Sequence, residues 1–489
     1  MKLEKILRTV DYLTVAGPLN REITGLAYDS RKVQAGYLFA ALPGASRDGR
    51  NFIGEAIGRG AAAVVSEPDD LQLVDVTCIK VKNARRGFAE IASSFHNDPS
   101  AKLQMVGITG TNGKTTIAFM VRDILRADDR SPGLLGTVCY EMGSRTIPAS
   151  RTTPESSDLH SMLAEMVAMG CKSAVMEVSS HSLVQGRVWG VAFDAAVFTN
   201  LTHEHLDFHK TMEEYFAAKS ILFRDLGYRN SEAVGIVNVD DPWGRRLMEM
   251  PGLDVTMVGY GCEQSGEVRA ENVRLGPSES RFNLRTPWGN VDDVRMGLLG
   301  RFNVSNALAA AGVCGALGIK PSRIAEVLGK FRAAPGRIEE VPTGRNFRVI
   351  VDYAHTGDAL ENVLRALRET GINRVILVFG CGGNRDVEKR AEMGAVAARL
   401  ASFSILTTDN PRREDPAQII AQIKSGFAGH DNFEVQVDRE QAIKRAVELA
   451  KAGDVVLIAG KGHESFQEFA DTVVPFDDRQ VVRRFTGAG

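Results

Sequence analysis

At 489 residues, with 44% hydrophobic and 25% charged side chains, the chain exceeds what one ordinary core organises, so about three globular domains are expected. A net charge of −2 excludes the basic footprint of a protein bound to nucleic acid or to an anionic membrane surface. No run of about 18 apolar residues suggests a membrane span, and Met1–Gly17, with charges at Lys2, Glu4, Lys5 and Arg8, does not read as a signal peptide.

The first block, 1–97, alternates short β-like runs (Tyr37–Leu42, Ala61–Val65) with turn signals and a helical stretch, as in a small α/β domain. Asn97-Asp98-Pro99-Ser100 marks its end, because a residue before proline is pushed out of the helical region. The second block, 98–332, opens with an apolar run, Leu103–Ile108. A glycine-containing turn, Gly110-Thr111-Asn112-Gly113-Lys114-Thr115-Thr116, follows and leads into a helix expected over Ile117–Leu125. Strand, glycine loop and helix start together form a phosphate cradle: glycines let backbone N–H groups crowd the oxygens, and the helix start adds partial positive charge. Lys114 would reach a terminal phosphate and the Thr115 hydroxyl would sit on Mg²⁺. The spacing is not that of a full Walker motif, since Ile108 stands where its first glycine belongs.

Further buried strands are expected at Ser173–Val178 and Phe193–Thr199, and a close-packed helix over Asn303–Leu317, giving a mainly parallel sheet covered on both faces. Glu177, at a strand end, is placed to supply a hard oxygen ligand to Mg²⁺, or is simply a surface glutamate. The Ser-Ser-His that follows contacts substrate or caps the next helix. The segment 200–209 holds three of the nine histidines, His203, His205 and His209, beside Glu204 and Asp207. With no HExxH and no nearby cysteine, a Mg²⁺ site borrowing one imidazole fits better than zinc. Lys219, in an apolar helical stretch, reads as a snorkelling surface lysine or as a desolvated amine that CO₂ converts to a carbamate.

The third block, 333–489, carries strands Arg348–Tyr353, Arg374–Gly380, Ser404–Thr408 and Asp454–Gly460, each ending in a polar or glycine-rich turn. Open α/β sheets bind ligands beyond such carboxyl ends, so Asp352, His355, Gly380–Arg385, Asp409–Arg412 and Gly460–Glu464 are candidates. Arg412 is either a surface arginine in a turn or a bidentate grip on a carboxylate. The six cysteines are scattered without metal-ligand spacing and read as reduced packing residues of a cytosolic protein.

Together, Thr109-Gly-Thr-Asn-Gly-Lys-Thr115, Met176-Glu-Val-Ser-Ser-His181, His205-Leu-Asp207, Ala217-Ala-Lys219, Gly300-Arg-Phe-Asn303, Pro335-Gly-Arg337 and Val351-Asp-Tyr-Ala-His355 resemble the Mur ligases, ATP-dependent enzymes of bacterial cell-wall synthesis. The resemblance spans essentially the whole chain and implies an N-terminal UDP-sugar-binding α/β domain, a central P-loop-type ATPase domain and a C-terminal Rossmann-like domain. It implies ATP and Mg²⁺ as cofactors, with Thr115, Glu177, His205 and a carbamylated Lys219 around the metals. Asn303, Arg337, Asp352 and His355 then face the nucleotide, alongside residues 110–116.

Asp409-Asn410-Pro411-Arg412 resembles the motif of those members that add meso-diaminopimelate to UDP-N-acetylmuramoyl-L-alanyl-D-glutamate; lysine-adding members differ there. Arg385, Gly460 and Glu464 resemble further amino-acid contacts, Glu464 being suited to an ammonium group. Ser30, Thr152, Thr153, Ser179, Gln185 and Arg187 resemble contacts to the UDP-sugar peptide, Asp29-Ser30-Arg31 and Arg151-Thr-Thr-Pro154 being the matching stretches. After Pro43 the chain reads Gly44-Ala-Ser46, where some members carry a His-Gln pair. A cytoplasmic bacterial monomer is expected, with no nucleic-acid partner and no membrane insertion. A folylpolyglutamate-synthetase-like ligase, or a nucleotide-switched binding protein without ligase chemistry, are the alternatives. Neither requires a 97-residue block before the loop together with Lys219, His205 and Arg412.

Overall fold

The computed structural model describes residues 1–44, 48–68, 75–264 and 266–487. Three α/β sheets follow one another along the chain. The first has five strands in the order Thr14–Ala16, Thr77–Lys80, Ala63–Ser66, Tyr37–Ala40, Gly25–Ala27, parallel except at the first edge.

The central sheet has eleven strands. Its parallel part runs Val268–Leu275, Thr256–Gly261, Val234–Asn238, Ala195–Phe198, Gln104–Thr109, Ser173–Glu177, Pro132–Leu135, and antiparallel strands extend both edges. Side chains alternate between two cores, as a sheet covered on both faces requires. Val106, Ile108 and Val175 pack on one side with the helices Lys114–Ala127 and Arg301–Ala316, while Met105, Ala174 and Met176 pack on the other. Small residues let the second of these helices lie close: a Cβ on Gly312 would stand 2.9 Å from Ile236.

The third sheet has six strands, ordered Glu339–Val341, Arg348–Asp352, Val455–Ala459, Val375–Phe379, Phe403–Leu406, Phe433–Val435, parallel except for the first. A two-stranded hairpin, Phe466–Phe469 with Thr472–Pro475, stands beside it. A strand forms at each expected apolar run, with ends trimmed or shifted by one or two residues. One local detail differs. Asp98, before Pro99, leaves the right-handed helical region for the left-handed one (φ 48, ψ 61) and not for extended backbone; the Ser93 hydroxyl donates to its carboxylate at 2.9 Å.

Candidate active site

The register of the central sheet assembles the phosphate loop. Strand Gln104–Thr109 lies between Ala195–Phe198 and Ser173–Glu177, with Phe198 opposite Thr109 and Glu177 opposite Ile108. Loop 110–113 therefore leaves the sheet between Glu177 on one side and Thr199–Asn200 on the other. Both loop glycines are obligatory. Gly110 has φ +144 and a Cβ there would meet Thr199 Oγ1 at 1.8 Å; Gly113 has φ +88 and its Cβ would meet Asn306 Oδ1 at 2.5 Å. Thr111 N donates to Asn200 O and Asn112 N to Asn200 Oδ1, both at 2.9 Å, which fixes the turn.

Helix Lys114–Ala127 begins directly at the loop, so its first N–H groups point at the same space. Lys114 Nζ folds over the loop, donating to the carbonyls of Gly110 (2.9 Å) and Thr111 (2.7 Å). Burial lowers its pKa; Glu177 and Glu204 oppose that and Arg337 adds to it. Thr115 Oγ1 lies 3.0 Å from each carboxylate oxygen of the buried Glu177, and the Thr137 amide (2.8 Å) and hydroxyl (3.0 Å) also donate to that carboxylate. This hydroxyl–carboxylate pair is a hard, oxygen-only donor set suited to Mg²⁺, so the surface-glutamate reading of Glu177 falls away.

Lys219 does not snorkel. It is 1% exposed; Nζ donates to Gly110 O at 2.8 Å, the same carbonyl that Lys114 uses, and lies 4.5 Å from the centre of the Tyr215 ring. Its helix, Met212–Arg224, presses this face against the sheet, leaving the stem no route to water. Burial, and then repulsion from Lys114, hold the amine well below its ordinary pKa.

The three histidines of 200–209 separate. His203 is exposed, and His209 is buried, 2.8 Å from Ser180 Oγ and stacked on Tyr215. His205 alone of the three lines the cavity described below, in the left-handed conformation (φ 57) that precedes the single turn Leu206–His209. Among the described residues no three His, Cys, Asp or Glu side chains converge into a metal-binding group, so the expected density is one of sequence and not of space. Glu204 takes a role the sequence did not assign: Oε1 lies 3.8 Å from Nε2 of both His205 and His355. Burial pushes its carboxyl up, but His205, His355, Lys114 and Lys219 outweigh this and it stays below its ordinary value.

Across a cavity of about 740 Å³ stands the third sheet. Arg337 Nη2 donates to Thr115 Oγ1 at 3.3 Å, its guanidinium lying 4.6 Å from the Tyr353 ring centre. Asp352 is buried at its strand end and accepts from the amides of Ile338 and Ala354, both at 2.7 Å; burial raises its pKa against the pull of Arg337 and those amides. Asn303 and His355 line the same cavity, and Asp358 reaches across it to accept from Asn112 Nδ2 at 2.7 Å and Thr202 Oγ1 at 3.1 Å. A space of this size, bounded by a glycine loop, a lysine, an arginine and the mixed polar and apolar ends of two helices, suits a nucleotide.

Two further clusters flank this cavity. In one, Thr153 Oγ1 donates to Glu177 O (2.8 Å), Ser179 N donates to Thr153 Oγ1 (3.1 Å), and Thr152 Oγ1 sits 3.1 Å from Thr137 Oγ1. Arg187 joins Thr153 O (3.0 Å), Gln185 Oε1 (2.6 Å) and Glu155 (3.0 Å). Thr152, Thr153, Ser179, Gln185 and Arg187 are thus contiguous and back directly onto Glu177. Arg151 shares the buried Glu155 carboxylate with Arg187, whereas Ser30 is held apart, donating to Glu55 at 2.8 Å in the first sheet's domain. Ala45 and Ser46 lie outside the described residues.

The other cluster lies at the carboxyl edge of the third sheet. Loops 380–385 and 409–414 are zipped together: Gly383 N donates to Asn410 O, and the fully buried Arg390 binds both Glu414 oxygens, Gln422 and Gly382 O. Arg412 has φ +51, with Nε donating to Glu468 Oε2 and Nη1 to Gly383 O, each at 2.8 Å. It is anchored, not a free surface side chain. Asp409 Oδ2 is buried without a partner, next to Gly460 (φ +111). Asn410 Nδ2 donates to Glu464 Oε2 at 2.9 Å, Pro411 O closes on Gly383, and Arg385 is exposed on the same rim. The ring of Tyr353, which lines the cavity, packs on that of His463 (centres 5.2 Å apart), the residue before Glu464 in this cluster. Glu204 lay in the histidine-rich segment and His463 in the candidate stretch 460–464, neither with a role of its own, and Asp358 carried no sequence signal.

The comparisons agree with this geometry. Residues 22–96 match the Mur ligase family catalytic domain, 108–314 the Mur ligase middle domain, and 336–462 the Mur ligase glutamate ligase domain. The chain is 44% identical over 99% of both lengths to the UDP-N-acetylmuramoyl-L-alanyl-D-glutamate–2,6-diaminopimelate ligase of Geobacillus kaustophilus. It is 45% identical to the protein of the same name from Streptomyces coelicolor, over 97% of this chain and 94% of that one. A solved structure of a UDP-N-acetylmuramoyl-L-alanyl-D-glutamate–2,6-diaminopimelate ligase superposes with a TM-score of 0.71 at 32% identity, covering 100% of this chain and 99% of the other. The chain belongs to the Mur ligase family.

Proposed function

We propose that this protein joins meso-diaminopimelate to UDP-N-acetylmuramoyl-L-alanyl-D-glutamate at the expense of ATP, giving the UDP-muramoyl tripeptide. The observation that carries the reading is a path of hydrogen bonds from the phosphate loop through Thr115 and Glu177 to the Thr153–Arg187 corner. Tyr353, on the cavity wall, packs on His463 beside the Asn410–Glu464 edge. This supports a phosphoryl donor at the loop, a carboxylate acceptor at the corner and an incoming amine at the edge.

A carboxylate is a poor acylating group, so its oxygen must first become a leaving group. The D-glutamyl side-chain carboxylate takes the γ-phosphoryl group of ATP; the amine of diaminopimelate then attacks the acyl phosphate, phosphate departs and the amine's proton is lost. Lys114 and Arg337 face the phosphates and stabilise charge on the group in transit. Mg²⁺ would be held by Thr115 and Glu177, with His205 on the facing wall, and supplies charge neutralisation on the phosphate oxygens. Lys219, a buried amine with a depressed pKa, has the chemistry to take up CO₂ and become an anionic oxygen ligand; that carbamate is part of the proposal. Arg412 would take the distal carboxylate of diaminopimelate and Glu464 an ammonium group, and closure of the third domain would exclude water. The work is that of a cytoplasmic enzyme acting as a monomer, and no described helix is long and apolar enough to cross a membrane.

The test is phosphate release from purified protein with ATP, Mg²⁺ and UDP-muramoyl-dipeptide, with meso-diaminopimelate and L-lysine in parallel. Release should require the dipeptide and strongly favour diaminopimelate. Hydrolysis indifferent to both substrates refutes ligase chemistry, and a preference for L-lysine refutes the acceptor.

A further inference from the structure

Lys461 is 0% exposed, directly beyond the strand Val455–Ala459, within the candidate stretch Gly460–Glu464. A buried ammonium is tolerated only with partners. Nζ donates to Glu464 Oε2 at 3.0 Å and to Asn410 Oδ1 at 3.1 Å, and lies 5.5 Å from the centre of the Phe466 ring. These contacts settle the orientation of both partners. Asn410 Oδ1 also accepts from Glu468 N at 3.1 Å, so the oxygen end of the amide faces two donors and the Nδ2 end is left to donate to Glu464 Oε2 at 2.9 Å. Glu464 Oε2 is thereby used twice, while Oε1 has no hydrogen bond among the described residues and is free for a ligand.

We propose that Lys461 is a positioning residue for the acceptor amino acid: buried out of reach of substrate, it locks the Asn410 amide and the Glu464 carboxylate so that Glu464 Oε1 faces the incoming ammonium group. The proposal rests on the acceptor reading above. Without Lys461, the Asn410 amide has one donor fewer holding its oxygen end and Glu464 loses the cation it pairs with among the described residues. Both side chains then rotate, and the acceptor site must be ordered at each binding event. Nucleotide and UDP-substrate sites, which Lys461 does not touch, are unaffected.

The experiment compares Lys461→Met, similar in length but uncharged, with wild type in the full reaction, varying each substrate in turn, with melting temperature recorded alongside. The KM for diaminopimelate should rise about 10-fold or more, the size of one lost charge-assisted hydrogen bond. The KM values for ATP and UDP-muramoyl-dipeptide should stay within about twofold. Because Lys461 acts through Glu464, Lys461→Met added to Glu464→Gln should cost far less than it does alone. An unchanged KM for diaminopimelate, an equal rise in all three KM values with a fallen melting temperature, or full additivity with Glu464→Gln would each overturn it. If Lys461→Met does not fold, Lys461→Gln is judged by the same criteria. Should wild type prefer another amino acid, the acceptor reading fails but the same split, read with that amino acid, still judges Lys461. If wild type uses no amino acid, both fall together.

Discussion

Arg412→Lys separates shape from charge at the acceptor site. The guanidinium has five N–H donors, of which Nε is committed to Glu468 and one on Nη1 to Gly383 O, leaving three. Those three include both protons of Nη2, so the Nη1–Nη2 edge can hold a carboxylate through two parallel bonds. Lysine keeps the positive charge and one such bond. The loss is then about one charge-assisted hydrogen bond, ~1.5–3 kcal/mol, or roughly a 10- to 150-fold fall in kcat/KM for diaminopimelate. L-Lysine has no distal carboxylate to lose, so its kcat/KM should move less than about threefold, narrowing the preference between the two. The backbone adds nothing to the comparison, since φ is +51 and both residues bear the same left-handed strain. Steady-state phosphate release with each acceptor at saturating ATP and UDP-muramoyl-dipeptide reads the effect. Equal losses with the two acceptors, or a comparable rise in the KM for ATP, would refute the assignment of Arg412 to the distal carboxylate.

Replacing Lys219 by alanine should lower kcat about 10²- to 10³-fold, in the range of a lost electrostatic stabiliser, and a short carboxylic acid entering the vacated space should restore part of it. A failure of rescue at every acid concentration counts against the carbamate. His160 is fully buried with neither ring nitrogen hydrogen-bonded, and burial, helped by His96 and Arg229 against Asp98, holds it down at about 3. An unfolded histidine takes its proton near pH 6.5, so between 6.5 and 3 the unfolded chain binds more protons, and stability falls as pH drops through that window. The loss is about 2 kcal/mol by pH 5. His160→Leu should flatten the fall in melting temperature between pH 7 and 5, and an unchanged slope would show that His160 does not drive it.

The sequence by itself determined the order of elements and the nucleotide chemistry. Gly110 and Gly113, three apart after an apolar strand and before a helix, encode a phosphate loop locally, because backbone conformation at φ above zero is written in the glycines themselves. The strands of the third block were legible from their apolar runs, and Asp352 and His355 from standing at a strand's end. Which polar residues meet was decided only by the tertiary structure. Lys219 reads as a surface lysine until its helix lies on the sheet and sets its amine on the Gly110 carbonyl, a contact 109 residues away in sequence. Segment 200–209 offers three histidines for a site expected to borrow one, and the fold chooses: His209 turns inward, His203 stays exposed and His205 lines the cavity. Glu204, Lys461 and His463 gain their contacts from partners on other loops: His355, Asn410 and Tyr353. Local propensity is carried by neighbours in the chain, whereas burial and pairing depend on which sheet edges face each other. The phosphate loop was therefore readable from its own letters, as were Asn410, Arg412 and Glu464 as candidates, whereas the contacts that orient Asn410 and Glu464 were not.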